Sequence, residues 1–259
     1  MRESTRRATV VDPCWLVVCG TQDLAALWAF RGLSRRLPRV ELITAEVLSC
    51  SRGWQHRIKS GAVSTSIELT DGRIFQSERL EGVLNRLTTV PAMAFRAAKT
   101  PDREYAAEEM LALWSSWLHS LPCPVLNRPS GQFPSPAWFH RSEWVWRAAG
   151  AGLHIAPYRE SATNGSTDDT ATDPNLHDPA ARTIFVASDR VVPGVVPECV
   201  QEGARRLARD ANVSLLALTF RVASDDSWGF LNAEAFPDFR LGGAALLDAL
   251  ASPPVRAES

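Results

Sequence analysis

The polar stretch at residues 158–181 constrains the fold more than any other part of the sequence. It reads YRESATNGSTDDTATDPNLHDPAA, in which Ser, Thr, Asn, Asp, Gly and Pro dominate and almost nothing can be buried. Such a composition is typical of a loop or linker, because the apolar surface cannot offset the conformational entropy that is lost on ordering. The sequence therefore predicts a flexible linker between two blocks that fold.

The block before this linker has the element order of a β-α-β unit. The apolar run WLVVCG at 15–20 predicts a buried strand, residues 22–36 carry apolar side chains at helical spacing, and VELITAEVL at 40–48 predicts a second strand. Asp71-Gly72 lies between two strand-like runs and predicts a hairpin. This order indicates an α/β fold with a parallel sheet.

The remaining elements give the chain its predicted organisation. Strands are predicted at 82–87, 123–129, 182–192, 214–222 and 228–233, and helices at 102–120, 135–153, 196–212 and 242–252. The last two strands are joined by a tight turn, which favours antiparallel pairing in the C-terminal block. The expected regions are an α/β lobe at 1–130, a connecting helix and strand at 131–157, the linker at 158–181 and a smaller α+β lobe at 182–259.

Composition excludes several classes of protein. Lys+Arg is 28 and Asp+Glu is 29, and this balance argues against a nucleic-acid binder, which would carry a basic face and a high pI. No run of 18 apolar residues is present, so we expect no membrane span. The 5 cysteines form no CxxC motif, which favours a reducing, cytoplasmic location over a disulfide framework.

The common catalytic motifs are missing from the sequence. It contains no GxSxG, HExxH, GxxxxGK[ST] or GxGxxG pattern, and no two histidines stand three or four residues apart. Hydrolase, zinc-protease and P-loop chemistry therefore have no support from motifs.

Two strands end in the same Asn-Arg pair. VLNR at 83–86 ends in Asn85 and Arg86, and the later VLNRP carries Asn127 and Arg128. In an open parallel sheet, ligands gather at the carboxyl ends of the strands, where two arginines would suit a carboxylate or a phosphate. The alternative is that the asparagines tie down turns while the arginines are solvated, and the sequence leaves both interpretations open.

A second candidate site lies in WGFLNAEAFPDFRLGG at 228–243. Asn232 ends a predicted strand, and Glu234 and Asp238 follow closely. Oxygen ligands of this kind at a strand end can hold Mg²⁺. The alternative is an ordinary surface turn.

Taken in order, these segments resemble the ATP-grasp superfamily, and in particular its RimK-like, peptide-modifying ligases. The first lobe is similar to the pre-ATP-grasp domain in its β-α-β start and in SIELTDGRI, GVLNRL, EYAAEEML and WLHSLPCPVLNRP. The last part is similar to the final ATP-grasp subdomain in RTIFVASDRV, LLALTFR and WGFLNAEAFPD. The resemblance implies carboxylate activation: ATP phosphorylates a carboxylate, an amine displaces the phosphate, and lysines and Mg²⁺ offset the moving charge.

The chain departs from this family at the residues that would hold ATP and Mg²⁺. A lysine-bearing subdomain is expected where this chain has the polar linker, and its two lysines, Lys59 and Lys99, both fall in the first lobe. The family's final strand typically reads Glu-x-Asn, and Phe230 and Asn232 occupy these positions, while Thr219 stands where an acidic residue is expected. The resemblance therefore implies a degenerate ligase without the central ATP-cap subdomain.

Three hypotheses of function follow. The first is a non-catalytic accessory protein, with no cofactor expected, that binds a peptide or a tailoring enzyme through the two Asn-Arg pairs and Arg182. The second is an active carboxylate-amine ligase that uses Mg-ATP, with Arg182, Arg190 or Arg221 in place of lysine on the phosphates. The third is an unrelated α/β protein that binds a small metabolite at the Asn-Arg pairs. A homo-oligomer is compatible with each.

Overall fold

The structure is a computed structural model that describes residues 8–91, 95–130, 135–136, 138–159 and 180–252. The chain divides into two compact units, Met1–Pro136 and Ala137–Ser259, called unit 1 and unit 2 below. Residues 160–179, which make up most of the predicted linker, lie outside the described residues. The linker therefore stays a prediction.

Unit 1 contains two sheets and three helices in its described part. Its strands are β1 (Thr9–Val10), β2 (Cys14–Cys19), β3 (Val40–Thr44), β4 (Gly53–Lys59), β5 (Ala62–Glu68), β6 (Arg73–Gln76), β7 (Leu80–Arg86) and β8 (Val125–Leu126). Its helices are α1 (Leu24–Leu33), α2 (Ala45–Ser49) and α3 (Thr100–Ser120).

The central sheet of unit 1 is parallel throughout. Its order is β3-β2-β7-β8, and α1 makes the crossover between β2 and β3. Every residue of β2 is buried, as the continuous apolar run predicts for a strand covered on both faces. The helix α3 buries Trp114, Trp117 and Leu118 in the same core as β2 and β7. The predicted β-α-β start is thus confirmed.

The second sheet of unit 1 has the order β1-β6-β5-β4. The hairpin predicted at Asp71-Gly72 joins β5 to β6, and Gly72 has the positive φ of 88° that favours glycine in such a turn. The strand β4 was not predicted. It pairs with β5 along seven residues across the turn at Ser60 and Gly61, and its alternating charged residues hide the strand pattern.

Two predicted strands of unit 1 are shorter in the structure. The strand predicted at 40–48 ends at Thr44, where the Thr44 side chain accepts a hydrogen bond from the Val47 amide and caps α2. The strand predicted at 123–129 is reduced to Val125–Leu126. A short β-strand and a short buried helix share the same apolar composition, so periodicity could not separate them.

Unit 2 is built on one antiparallel sheet. Its strands are β9 (Ala181–Ala187), β10 (Arg190–Val192), β11 (Leu215–Val222) and β12 (Trp228–Glu234), in the order β10-β9-β11-β12. Its helices are α4 (Arg141–Gly150), α5 (Glu198–Asp210) and α6 (Gly243–Ala251). This confirms the predicted fold class, a parallel β-α-β lobe followed by a lobe with an antiparallel sheet.

The two long helices of unit 2 share a core with the sheet. Trp144 of α4 and Leu207 of α5 lie in one apolar cluster with Phe220 and Phe230 of β11 and β12. The amphipathic pattern of α5 explains this position, because its apolar side chains fall on one face. In the described residues, no helix combines the length and the apolar character needed to cross a membrane.

Candidate functional site

The first candidate region is the carboxyl end of the parallel sheet in unit 1. Asn85 is the last residue but one of β7 and Asn127 follows β8, and these strands are neighbours, so both residues lie at the same edge. The Asn85 amide donates to the Asn127 carbonyl at 2.8 Å, and its oxygen accepts from the Leu87 amide at 3.1 Å. Both asparagines are buried, and Asn127 has a left-handed φ of 61°. This pair ties two strand ends together.

Arg86 forms a nearly buried ion pair. Its Nε lies 2.6 Å from a carboxylate oxygen of Asp23, and the two side chains are 9% and 17% exposed. The other oxygen of Asp23 accepts from the Ala26 amide at 2.9 Å and caps α1. Arg86 therefore links the end of β7 to the start of α1.

Arg128 is bound to backbone carbonyls. Its guanidinium donates to the carbonyls of Leu118 at 2.7 Å and His119 at 2.9 Å, with longer bonds of 3.4 Å to Leu121 and Cys123. Carbonyls at a helix C-terminus lack helical partners and carry partial negative charge, so the arginine caps α3.

The structure thus brings the four predicted residues of unit 1 to one edge, and it gives each of them a partner within the fold. These contacts support the interpretation in which the asparagines hold turns, and they show the arginines bound to the protein rather than solvated. A ligand would compete with these contacts. The assignment of Asn85, Arg86, Asn127 and Arg128 as ligand-binding residues stays a prediction.

The second candidate region is a polar row across the sheet of unit 2. Thr183 of β9, Thr219 of β11 and Asn232 of β12 lie opposite one another in register. The two threonine hydroxyls are 3.5 Å apart. Residues that face each other on neighbouring strands share a face of the sheet, so these three side chains form one row.

A β-bulge decides which side chains reach this row. Thr219 pairs with Asn232 while Phe220 pairs with Phe230, so Leu231 is an extra residue in β12. Phe230 is 1% exposed and packs edge-on against Phe220 at 5.7 Å between ring centres. Phe230 therefore points into the core, on the face of the sheet opposite the row.

Each of the three predicted magnesium ligands has a different setting in the structure. Asp238 binds the Arg240 guanidinium at 2.8 and 2.9 Å and caps the short 3-10 helix at Phe239–Gly242. Glu234 is exposed near the end of β12, and Asn232 contributes a neutral amide. The described part of the chain holds no group of three His, Cys, Asp or Glu side chains suited to a metal. The assignment of Asn232, Glu234 and Asp238 as magnesium ligands stays a prediction.

Arg182 is the second residue of β9, in the same sheet as the polar row, and its side chain makes a local contact. Its guanidinium donates to the Ala181 carbonyl at 2.9 Å, and its side chain is exposed. Its predicted role in ligand binding is untested.

Unit 2 also has a concavity of about 500 Å³ that the sequence did not indicate. Three elements form it, namely β10 with the turn before it, α5 and α6, and it is lined by Asp189, Arg190, Val191, Val192, Arg205, Ala245, Asp248, Ala249 and Ser252. None of the eight residues of the two candidate regions lines it, whereas Arg190, which the ligase hypothesis places on the phosphates, does. Its residues come from separate segments without a shared motif, so no sequence signal could have found it.

The buried cysteines are poor nucleophiles. Burial raises the pKa of the Cys14 and Cys123 thiols to about 11 and that of Cys19 to about 12, because the thiolate loses its hydration. A thiol with such a pKa is protonated near neutral pH and attacks slowly. All three lie in unit 1, so this unit shows no thiol chemistry among its buried cysteines.

Comparison with solved structures defines the class of fold. No protein-family profile matches the chain, and no curated protein matches it in sequence. A RiPP-associated ATP-grasp ligase of Chryseobacterium gregarium, in complex with ADP and a leader and core peptide, superposes with a TM-score of 0.63 at 13% identity, covering 92% of this chain and 95% of that one. The chain therefore has the fold of ATP-grasp ligases.

Two further structures share this fold. The macrocyclase MdnC of Microcystis aeruginosa, bound with precursor peptide MdnA, has a TM-score of 0.62 at 12% identity, covering 92% of this chain and 98% of that one. The ATP-grasp ligase PsnB, complexed with a variant of its minimal precursor, Mg and ADP, has a TM-score of 0.62 at 15% identity, covering 93% and 98%. This is a likeness of fold.

Proposed function

We propose that the protein is a non-catalytic member of a peptide-modification pathway, which uses the ATP-grasp fold to bind a peptide or a peptide-modifying enzyme. The observation that carries this proposal is the polar row of unit 2. Of the two positions where the resemblance calls for a carboxylate, Thr219 brings a neutral hydroxyl to this row and Phe230 points away from it, while Asn232 matches the asparagine of the family pattern.

The chemistry of phosphoryl transfer explains the weight of this observation. Transfer of a phosphoryl group moves negative charge, and Mg²⁺ held by carboxylates offsets that charge in the transition state. Thr183, Thr219 and Asn232 are all neutral, and Phe230 points into the core. A site without fixed charge at this position forfeits several kcal/mol of stabilisation.

The distribution of lysine supports the same conclusion. The only two lysines of the sequence, Lys59 and Lys99, belong to unit 1. Unit 2 therefore contains no lysine for the nucleotide phosphates. Loss of the lysines and loss of the carboxylates are independent changes, and both weaken ATP binding or turnover.

The peptide part of the proposal is supported by the solved structures that share the fold. Those proteins are complexed with leader or precursor peptides, and the superposition extends over 92% or more of this chain. We infer that a peptide is the ligand class best matched to this scaffold.

Calorimetry with Mg-ATP tests the proposal directly. We expect no heat of binding at millimolar nucleotide and no formation of ADP when peptide is added. Saturable heat together with ADP release would overturn the non-catalytic assignment and favour the ligase hypothesis, in which Arg182, Arg190 or Arg221 contacts the phosphates. Replacing these three arginines with alanine would then abolish the heat.

A further inference from the structure

The edge strand β4 of unit 1 is open to pairing. It pairs with β5 along its whole length, from Gly53 opposite Glu68 to Lys59 opposite Ala62. It is the outermost strand of its sheet, and no strand of the described residues pairs with its other edge. An unpaired edge presents backbone donors and acceptors to an incoming strand.

One face of β4 is fixed against the helix α3. The Trp54 ring packs edge-on against Trp117 with centroids 5.4 Å apart. The His56 ring hydrogen-bonds with Ser116 at 2.9 Å and with Thr65 of β5 at 2.8 Å. These contacts hold the strand extended, so little conformational entropy of β4 would be lost when a partner strand binds.

Three of the exposed side chains on β4 and the residue before it are basic. Arg52, Arg57 and Lys59 are all exposed, and none lies within 4.0 Å of a carboxylate in the described part of the chain. Arg57 hydrogen-bonds only with the Gln55 amide oxygen, at 3.0 Å. By contrast, Arg73 on β6, in the same sheet, is paired with Asp71 at 2.7 Å.

The positive charge of this edge favours an acidic binding partner. Two copies of β4 in parallel register would place Arg57 and Lys59 beside their equivalents, and an antiparallel pair centred on Ile58 would place Arg57 opposite Lys59. Like charges across a strand pair are destabilising. An acidic strand would instead pair with these cations. The exposed Ile58, at 68%, adds an apolar contact for an incoming side chain.

We propose that the outer edge of β4 binds an extended acidic peptide segment by strand addition. Backbone hydrogen bonds supply affinity in this mode, and side chains that alternate across the strand supply specificity. The inference rests on the proposed function, because it names the surface and the chemistry of the bound peptide. It requires no nucleotide.

Fluorescence anisotropy with a labelled synthetic peptide of alternating glutamate and threonine tests this site. We expect saturable binding to the full-length protein, weakened by salt because the charges are exposed. The double variant Arg57→Glu, Lys59→Glu should weaken binding by at least about tenfold, equal to about 1.4 kcal/mol. The matched control is Arg31→Glu, Arg35→Glu, which makes the same charge change on exposed residues of unit 1 and should bind as the wild type does.

A second peptide isolates the strand pairing. N-methylation of alternate residues, prepared in both registers, removes the backbone donors and leaves the charges. One of the two registers should abolish binding, and equal binding by both would overturn strand addition. Circular dichroism confirms that the variants fold.

An array of acidic, neutral and basic extended peptides separates this inference from the proposed function. If the protein binds peptides but the β4 variant binds them equally well, the β4 site is wrong and peptide binding stands. If the wild-type protein binds no peptide, the β4 site and the peptide-binding form of the proposed function both fail, and binding of a peptide-modifying enzyme is the form that is left. Self-association that the β4 variant abolishes would replace the peptide with a second copy of the chain.

Discussion

Asn85, near the end of β7, and Asn232, near the end of β12, look alike in the sequence and differ in the structure. Asn85 is fully buried, and both ends of its amide bond to backbone. Asn232 is half-buried, and it lies in a row with two threonines on one face of its sheet. A polar residue at a strand end is therefore a functional candidate only where the fold does not occupy its hydrogen-bonding atoms.

The largest expected effect comes from placing a carboxylate at Phe230, the core-facing position of β12. Phe230→Glu should lower the free energy of unfolding by about 4 kcal/mol or more, because it buries a charge among Phe220, Trp144 and other apolar side chains. Urea denaturation measures this loss. Thr219→Glu is the control, since its side chain lies on the other face and should cost less. Equal losses would contradict the assigned bulge.

Arg86→Met should have the next largest effect. It leaves the partly buried carboxylate of Asp23 without its ion-pair partner, at a cost of about 3 kcal/mol in the free energy of unfolding. Arg206→Met serves as the control, because it breaks an exposed pair with Glu202 and should cost about 0.3–0.5 kcal/mol. If the two variants were equally stable, Arg86 would have no structural role, and its predicted role in ligand binding would gain support.

Asn85→Leu tests the buried amide directly. The variant leaves the Asn127 carbonyl and the Leu87 amide without this partner, and we expect a loss of about 2 kcal/mol by urea denaturation. Asn232→Leu should change stability by less than about 1 kcal/mol, because Asn232 is half-buried. A larger loss for Asn232→Leu would reverse the comparison between the two regions.

The smallest expected effect is a loss of stability of unit 1 as pH rises from about 8 to about 9. The raised pKa values of Cys14, Cys19 and Cys123 mean that these thiols stay protonated in the folded state while they ionise in the unfolded chain above about pH 9. The stability that they contribute is complete below about pH 8 and is lost as pH rises towards about 11. From about pH 8 to about pH 9 the loss should be about 1 kcal/mol.

Limited proteolysis with mass spectrometry locates the region that opens first. Unit 1 should be cleaved before unit 2 as the pH rises, because the buried cysteines lie in unit 1 and Cys199 of unit 2 is exposed. The variant Cys14→Ser, Cys19→Ala, Cys123→Ala would test the cause. An unchanged pH dependence in that variant would assign the effect to other groups.

Local signals in the sequence predicted much of the fold. The apolar run at 15–20 and the Asp71-Gly72 turn are decided by neighbours in the chain, and both appear as predicted. The strand β4 was not predicted, because five of its seven residues are polar or glycine. Its extended conformation depends on pairing with β5 and on packing against α3. Pairing between distant segments leaves no periodic trace in a sequence.

The candidate sites were predicted less well than the fold. The sequence placed Asn85 and Asn127 at strand ends, and the parallel order of β7 and β8 brings them together as expected. It did not show that Arg86 reaches Asp23, 63 residues away along the chain, or that Arg128 turns back to cap α3, because both contacts depend on how the chain folds. The sequence also did not show that Asp238 is bound by Arg240, and its role as a metal ligand stays a prediction.

The sequence by itself determined the α/β class, the resemblance that led to the ATP-grasp fold, and the confinement of lysine to Lys59 and Lys99. Only the tertiary structure decided which side chains face a site. The bulge at Leu231 turns Phe230 into the core and leaves Asn232 in the polar row, because one extra residue reverses the alternation of a strand. A change of face depends on the register with a partner strand, and the order of residues alone does not contain that register.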